Sequence, residues 1–228
     1  MPVAAAAEIV AGAGFDWLWI DMEHGPLDLL TVEAMLRAKG SCAGIVRAPS
    51  NDPVWIKRIL DTGCDGILLP HVSSAAEAQA AITAAFYPPK GRRSFGVARA
   101  HAYGPRLNEY MQSSLEETTV MIQIEDAKAV AAIDEILAVD GVDAAVIGPF
   151  DLSGSLGHLG EISHPDVVDA IDRIAAAGRK HGVPVGIFAA NADLARGFLA
   201  KGLSPVAVGV DAMLLASGAA ALRASLAS

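Results

Sequence analysis

Three observations predict a (β/α)8 barrel of the α/β class. Short apolar runs rich in Val, Ile and Leu alternate with Ala-rich amphipathic stretches along the chain, the cadence of parallel strands under helices. Four helix-to-strand joins repeat one pattern, Ala13-Gly-Phe-Asp16, Thr62-Gly-Cys-Asp65, Asp140-Gly-Val-Asp143 and Lys201-Gly-Leu-Ser204, in which Gly permits the left-handed turn that ends a helix. Polar residues collect just after the apolar runs, where a barrel of this kind places its active site. The 228 residues sit at the lean end for a fold that typically needs about 250. No Ser/Gly-rich linker or charge run divides them, so residues 1–228 read as a single domain.

In chain order, Pro2–Gly14 reads as a helix and Trp17–Ile20 as the first strand. Further strands are expected at Gly44–Arg47, Gly66–Pro70, Thr119–Glu125, Ala144–Gly148, Pro184–Phe188 and Pro205–Val210. Helices are expected at Asp52–Thr62, Ala75–Ala85, Asp126–Val139, Pro165–His181 and Ala192–Lys201, with a C-terminal one at Ser217–Leu226. Asp52 before Pro53 and His164 before Pro165 each suit a cap followed by proline at the first helical position. Trp17 and Trp19 are expected to face opposite layers of the barrel wall. These are seven strands where a closed barrel wants eight. Either the first strand is missing from this chain or Ser94–Ala98 supplies an irregular replacement. The missing strand is favoured, because Tyr87–Tyr110 is rich in Pro, Gly and Arg and reads as a long loop.

Composition narrows the function classes. A formal net charge of −9 argues against nucleic acid, whose binding needs clustered Lys and Arg. No apolar run approaches the ~20 residues of a membrane span, and the start of the chain lacks the pattern of a signal peptide. Cys42 and Cys64 alone make no disulfide framework or zinc knuckle, which suits a reducing, cytoplasmic location.

The residues that follow the apolar runs are Asp21, Glu23 and His24; Arg47; His71; Gln123 and Glu125; and Asp151, all converging on one barrel mouth. Glu125 and Asp151 end consecutive strands, and two carboxylates brought together call for a cation or a shared proton. Oxygen ligands suit Mg²⁺ or Mn²⁺. The plainer alternative is that both cap the helices that follow them. His24 lies three residues after Asp21, and a carboxylate beside an imidazole makes a base, although a loop histidine bonded to backbone has the same spacing. Arg47 needs an anion, from Glu23 or from a substrate. Gly148-Pro149-Phe150 brings backbone close to the carboxylates or simply ends a strand. His71 is a candidate for lining the pocket, whereas His101, His158, His164 and His181 read as structural or solvent-facing. Arg92 and Arg93, in the long loop, are candidates for recognising a distal carboxylate or hydroxyl, or are simply solvated.

Together, Ala11–Gly25 with its Asp21-Met-Glu-His24, Val46–Pro53, Tyr87–Arg93, Gln123-Ile-Glu125, Val146–Ser153 and Ala207–Asp211 resemble the HpcH/HpaI aldolase family, within the barrel superfamily that binds phosphoenolpyruvate and pyruvate. The resemblance implies a class II aldolase that reversibly cleaves 4-hydroxy-2-oxo acids to pyruvate, or an analogue such as hydroxypyruvate, and an aldehyde, in catabolism of aromatic compounds. It implies Glu125 and Asp151 as ligands of a divalent metal, Mg²⁺ or Mn²⁺ with Co²⁺ or others possible. Arg47 would stabilise the enolate oxygen, His24 paired with Asp21 would act as base, and Gln123 and the backbone at Gly148, Pro149 and Phe150 would bind pyruvate. Phe150 is bulkier than the residue at that place in many relatives and would narrow the pocket. The family also implies a homo-oligomer, commonly a hexamer. The alternatives are a CoA-ester lyase of the citramalyl or malyl type and a non-catalytic assembly subunit.

Overall fold

A computed structural model describes residues 1–226. Seven strands form one parallel sheet in sequence order: β1 (Trp17–Asp21), β2 (Ala43–Arg47), β3 (Gly66–Leu69), β4 (Thr119–Ile124), β5 (Ala144–Ile147), β6 (Val185–Ala189) and β7 (Val206–Val208). Around them run α1 (Ala4–Gly12), α2 (Leu29–Ala38), α3 (Pro53–Asp61), α4 (Ala75–Ala85), α5 (Leu107–Glu117), α6 (Ala127–Ala131), α7 (Ile133–Leu137), α8 (Pro149–Ser155), α9 (Pro165–His181), α10 (Ala192–Ala200) and α11 (Asp211–Ser225). The fold is a nearly closed barrel of the α/β type. Among the described residues no strand pairs β7 with β1, and Ser94–Ala98 is not a strand.

The joins behave as the repeated pattern predicts. Gly14, Gly63, Gly141 and Gly202 all take positive φ, between 71° and 101°. At two of them the Asp that follows is also used: Asp65 accepts from the Gly44 N–H and Asp143 from the Val120 N–H, both at 2.7 Å, fixing the start of the neighbouring strand. Asp52 caps α3 and His164 caps α9, each ahead of its proline. Two differences stand out. The segment 126–139 is two short helices, broken at Ala132, where ψ swings to 12°. The end of the long loop is α5, an amphipathic helix that buries Tyr110 and Ser114.

The period of two along a strand sorts residues onto the two faces of the barrel wall. Leu18, Ile20, Val46, Ile67, Ile122 and Ile147 face outward into the main core beneath the helices. Ile45, Leu68, Met121, Ala144 and Val146 face inward, and Trp17 and Trp19 pack against them. The two tryptophans therefore share a face, with ring centroids 6.2 Å apart, rather than facing opposite layers. Residues two apart on a strand must do so.

Candidate active site at the barrel mouth

The inward parity continues past this inner core to the carboxyl ends of the strands. Asp21 follows Trp17 and Trp19, Arg47 follows Ile45, Gln123 and Glu125 follow Met121, and Gly148 follows Val146. Asp21 and Arg47 are also direct partners in the β1–β2 register. The polar residues thus share one layer because strand parity puts them there.

Arg47 is the hub. Its Nε and Nη2 donate to the two Asp21 carboxylate oxygens at 2.9 and 2.6 Å, a bidentate pair. Its Nη1 lies 2.9 Å from Glu23 Oε2 and donates to Gln123 Oε1 at 3.3 Å. The guanidinium also sits 5.0 Å from the centroid of the Trp19 ring. Burial works against the Asp21 charge, yet the hydrogen bonds and charge of Arg47 outweigh it and hold this carboxyl below the ordinary range.

Glu125 is almost fully buried and accepts from the His71 backbone N–H at 2.8 Å and from the Gln123 amide. Burial pushes its carboxyl up and the neighbouring Glu23 adds to this, against the opposing pull of His71 and Gln123. The His71 ring bridges the two acids, with Nε2 2.9 Å from Glu23 Oε1 and Nδ1 3.0 Å from Glu125 Oε1. His71 does so from a left-handed backbone with φ 56°, a conformation that costs energy for a side-chain-bearing residue and marks a held position.

The plainer readings of the carboxylates lose ground. Asp126, not Glu125, caps the helix after β4, by accepting from the Ala129 N–H at 2.7 Å. Gly148 takes the cap position of α8, leaving Asp151 exposed in its first turn. Glycine at 148 also spares the site crowding: a Cβ there would lie 3.1 Å from Gln123 Nε2 and 3.2 Å from Glu125 Cβ. Pro149 is buried at the first helical position, while the Phe150 ring is exposed and turned toward Gly160, not over the carboxylates.

Two expectations are corrected. His24 and Asp21 do not form a dyad through the imidazole. Asp21 Oδ1 accepts the backbone N–H groups of Glu23 and His24 at 3.0 and 3.3 Å as well as Arg47 Nε, and Oδ2 serves Arg47 Nη2. The His24 ring projects into solvent, 4.0 Å from Glu23. Beyond the strand end, periodicity no longer dictates side-chain direction. Arg93, for its part, lies at the opposite end of the barrel, paired with Asp61 at the tail of α3 at 2.7 Å, so it cannot recognise a substrate at the mouth. Glu23 and His71 are the residues that sequence reasoning left in the background. Their signal was present, since each follows a strand end at the mouth.

The donor chemistry fits a divalent metal. Asp21 and Glu23 share the Arg47 guanidinium, Glu125 lies one histidine beyond Glu23, and Glu23 Oε2 is buried in ion-pair contact without a hydrogen bond. A surplus of buried oxygen donors is what a hard cation neutralises.

The HpcH/HpaI aldolase/citrate lyase family model matches residues 3–218. A pyruvate aldolase from Rhizobium etli is 42% identical, across all of this chain and 91% of that protein. A 4-hydroxy-2-oxo-heptane-1,7-dioate aldolase from Escherichia coli is 44% identical over 96% of this chain and 85% of its own length. A crystal structure of a family protein from Burkholderia cenocepacia superposes with a TM-score of 0.96 at 37% identity, covering 100% of this chain and 92% of that one. Matched along nearly its whole length in sequence and in fold, the chain belongs to the HpcH/HpaI aldolase/citrate lyase family.

Proposed function

We propose that the chain is a class II aldolase that reversibly cleaves a 4-hydroxy-2-oxo acid into pyruvate, or a close analogue such as hydroxypyruvate, and an aldehyde. The surplus of carboxylates around Arg47 at the mouth carries this reading, and relatives named as aldolases of such acids support it. Held by Glu125 and Asp151, a divalent ion of the Mg²⁺, Mn²⁺ or Co²⁺ kind would supply a Lewis acid for the oxygens of the 2-oxo acid.

Cleavage breaks the C3–C4 bond. The 4-hydroxyl proton goes to a base as C4–O becomes a carbonyl, and the bonding pair passes into the pyruvate enolate, which takes a proton at C3. Arg47, oriented by Asp21 and Gln123, offers N–H donors where the enolate oxygen gains charge. Asp21 is thereby a positioning residue for Arg47. His24, with its ring free at the rim, is the candidate base for the hydroxyl proton. Gly148 leaves room for a substrate carboxylate against the backbone of Pro149 and Phe150. No lysine ends any of the described strands at the mouth, in keeping with a metal mechanism that needs no Schiff base.

The protein acts on small molecules, and we place it in the cytoplasm as a homo-oligomer, a hexamer by family likeness. Free, buried Cys42 and Cys64 support the first. The second is supported by α11, none of whose residues is buried although Met213, Leu214, Leu215 and Leu222 lie along it. No helix among the described residues is long and apolar enough to cross a membrane.

The test follows pyruvate release from a 4-hydroxy-2-oxo acid with EDTA and with added Mn²⁺ or Mg²⁺. Turnover should vanish on chelation and return with metal, and Glu125→Gln should abolish it. His24→Ala should slow turnover while Mn²⁺ binding persists. Activity that survives complete chelation would overturn the metal reading, and loss of Mn²⁺ binding in His24→Ala would overturn the role of His24.

A further inference from the structure

We propose that His158, His164 and Asp166 form a transition-metal site of their own, apart from the mouth carboxylates, taking a borderline dication such as Zn²⁺. The three residues lie on the loop that leaves α8 and on the first turn of α9. They form a group of metal-binding side chains whose donor atoms all lie within 4.8 Å of one another.

The donor set differs in kind from that of the mouth. Two imidazoles and one carboxylate suit Zn²⁺, Ni²⁺ or Cu²⁺ better than Mg²⁺. His158 Nε2 lies 3.0 Å from Asp166 Oδ2, and His164 Nδ1 lies 3.7 Å from the same oxygen. A tetrahedral site with bonds of about 2.0–2.1 Å separates its donors by about 3.3 Å, between these two distances. Metal-free, the group is held together in another way: the imidazole rings stack with centroids 3.3 Å apart at 16°. Parallel stacked rings aim their nitrogen lone pairs side by side, so binding requires one ring to swing out of the stack. Both histidines are only partly covered, which leaves that movement open.

The loop backbone is already fixed in place. The His158 N–H donates to Ser153 O at 2.8 Å, Gly160 N–H to Ser153 Oγ at 2.9 Å, and His164 N–H to Glu161 O at 2.9 Å. The ion would thus find the loop backbone already ordered, and the cost of binding would lie in turning one ring out of the stack. His164 would release the Asp166 N–H that its Nδ1 now accepts at 3.3 Å, and that amide can turn to water. Three protein donors leave a fourth position for water or an external ligand.

The probe is Zn²⁺ alone, titrated into Glu125→Gln protein so that binding at the mouth is weakened. Calorimetry should show one saturable equivalent, and imidazole NMR should show the His158 and His164 resonances moving together with it. Adding His158→Gln, or His164→Asn, which keeps a good helix cap, should weaken that equivalent at least tenfold, with Tm in the absence of metal little changed. Zn²⁺ should raise Tm in the Glu125→Gln protein and no longer do so in the double variants. The absence of saturable binding in Glu125→Gln would overturn the proposal. So would saturable binding that survives both histidine substitutions or leaves the two imidazole resonances unmoved.

Discussion

The barrel holds two buried arginines built alike and placed at opposite ends. At the mouth, Arg47 lies 5.0 Å from the Trp19 ring and pairs with Asp21 at 2.6 Å. At the floor, Arg93 lies 4.7 Å from the Tyr87 ring and pairs with Asp61 at 2.7 Å. The surroundings separate them. Arg93 meets one carboxylate and the Tyr110 hydroxyl, and among the described residues no second acid pairs with it. Arg47 meets Asp21 and Glu23, and Glu125 lies one histidine away. A balanced pair pins a loop. A pair with surplus acid makes a place for a cation and for a substrate that develops negative charge.

The largest effect should come from breaking the balanced pair. Arg93→Ala leaves Asp61 without its partner and unpins the loop that Arg99 also ties down, through the Thr62 and Gly63 carbonyls at 2.5 and 3.2 Å. Loss of one member of a buried pair costs about 3–5 kcal/mol, so the denaturation midpoint should fall steeply. The kcat of the protein that remains folded should stay near the parent value. A collapse of kcat at full stability would erase the distinction between floor and mouth. Arg47→Lys should do the reverse. It keeps a charge near Asp21 and Glu23 but loses the planar fork, and removing one such donor costs about 10²–10³ in kcat. Its midpoint should move far less than that of Arg93→Ala.

Within the mouth, two carboxyls respond to pH in opposite directions. Asp21 is held low, so the stability it contributes is present above its unfolded pKa and fades as pH falls through its lower folded value. Glu125 is held high, so the metal-free fold gains relative stability as pH falls through that raised value and loses it as pH rises. With Glu125 as the proposed ligand, metal has to displace its proton, so Mn²⁺ affinity should weaken as pH falls into the acidic range, by up to about tenfold per pH unit once the carboxyl is protonated. Titrations of Mn²⁺ across that range, monitored by electron paramagnetic resonance, would show it. A flat profile would mean that Glu125 is not a ligand.

How far this contrast was legible in the sequence depends on which physical rule sets each residue. The strands and their inward residues follow from period-two alternation and from glycine joins, so Arg47, Gln123 and Glu125 were readable as one layer before any coordinates. The left-handed turns at Gly14, Gly63, Gly141 and Gly202 were equally local. His24 was misplaced because its ring leaves the strand, where neighbouring elements decide direction. Arg93 was read as facing solvent or substrate because its partner Asp61 lies 32 residues away, with nothing local to announce it. His71 was undervalued because its bridging position depends on a left-handed backbone that no propensity favours.

The smallest expected effect tests the rings beneath the two arginines. Trp19 Nε1 is buried without a hydrogen-bond partner, which costs about 1–3 kcal/mol for such a group. Trp19→Phe removes that orphan but also removes packing volume, so the two terms oppose each other and stability should shift by no more than about 1 kcal/mol. The cation–π contact weakens in the same change, by about 0.5–1 kcal/mol, and Arg47 is held less firmly. The kcat should therefore fall about two- to fivefold, with KM nearly constant, while the midpoint stays close to the parent. Tyr87→Phe at the floor keeps the face under Arg93 and should leave kcat unchanged. If both substitutions lowered kcat alike, the ring at the mouth would have no special hold on Arg47, and its position would rest on its polar partners Asp21, Glu23 and Gln123.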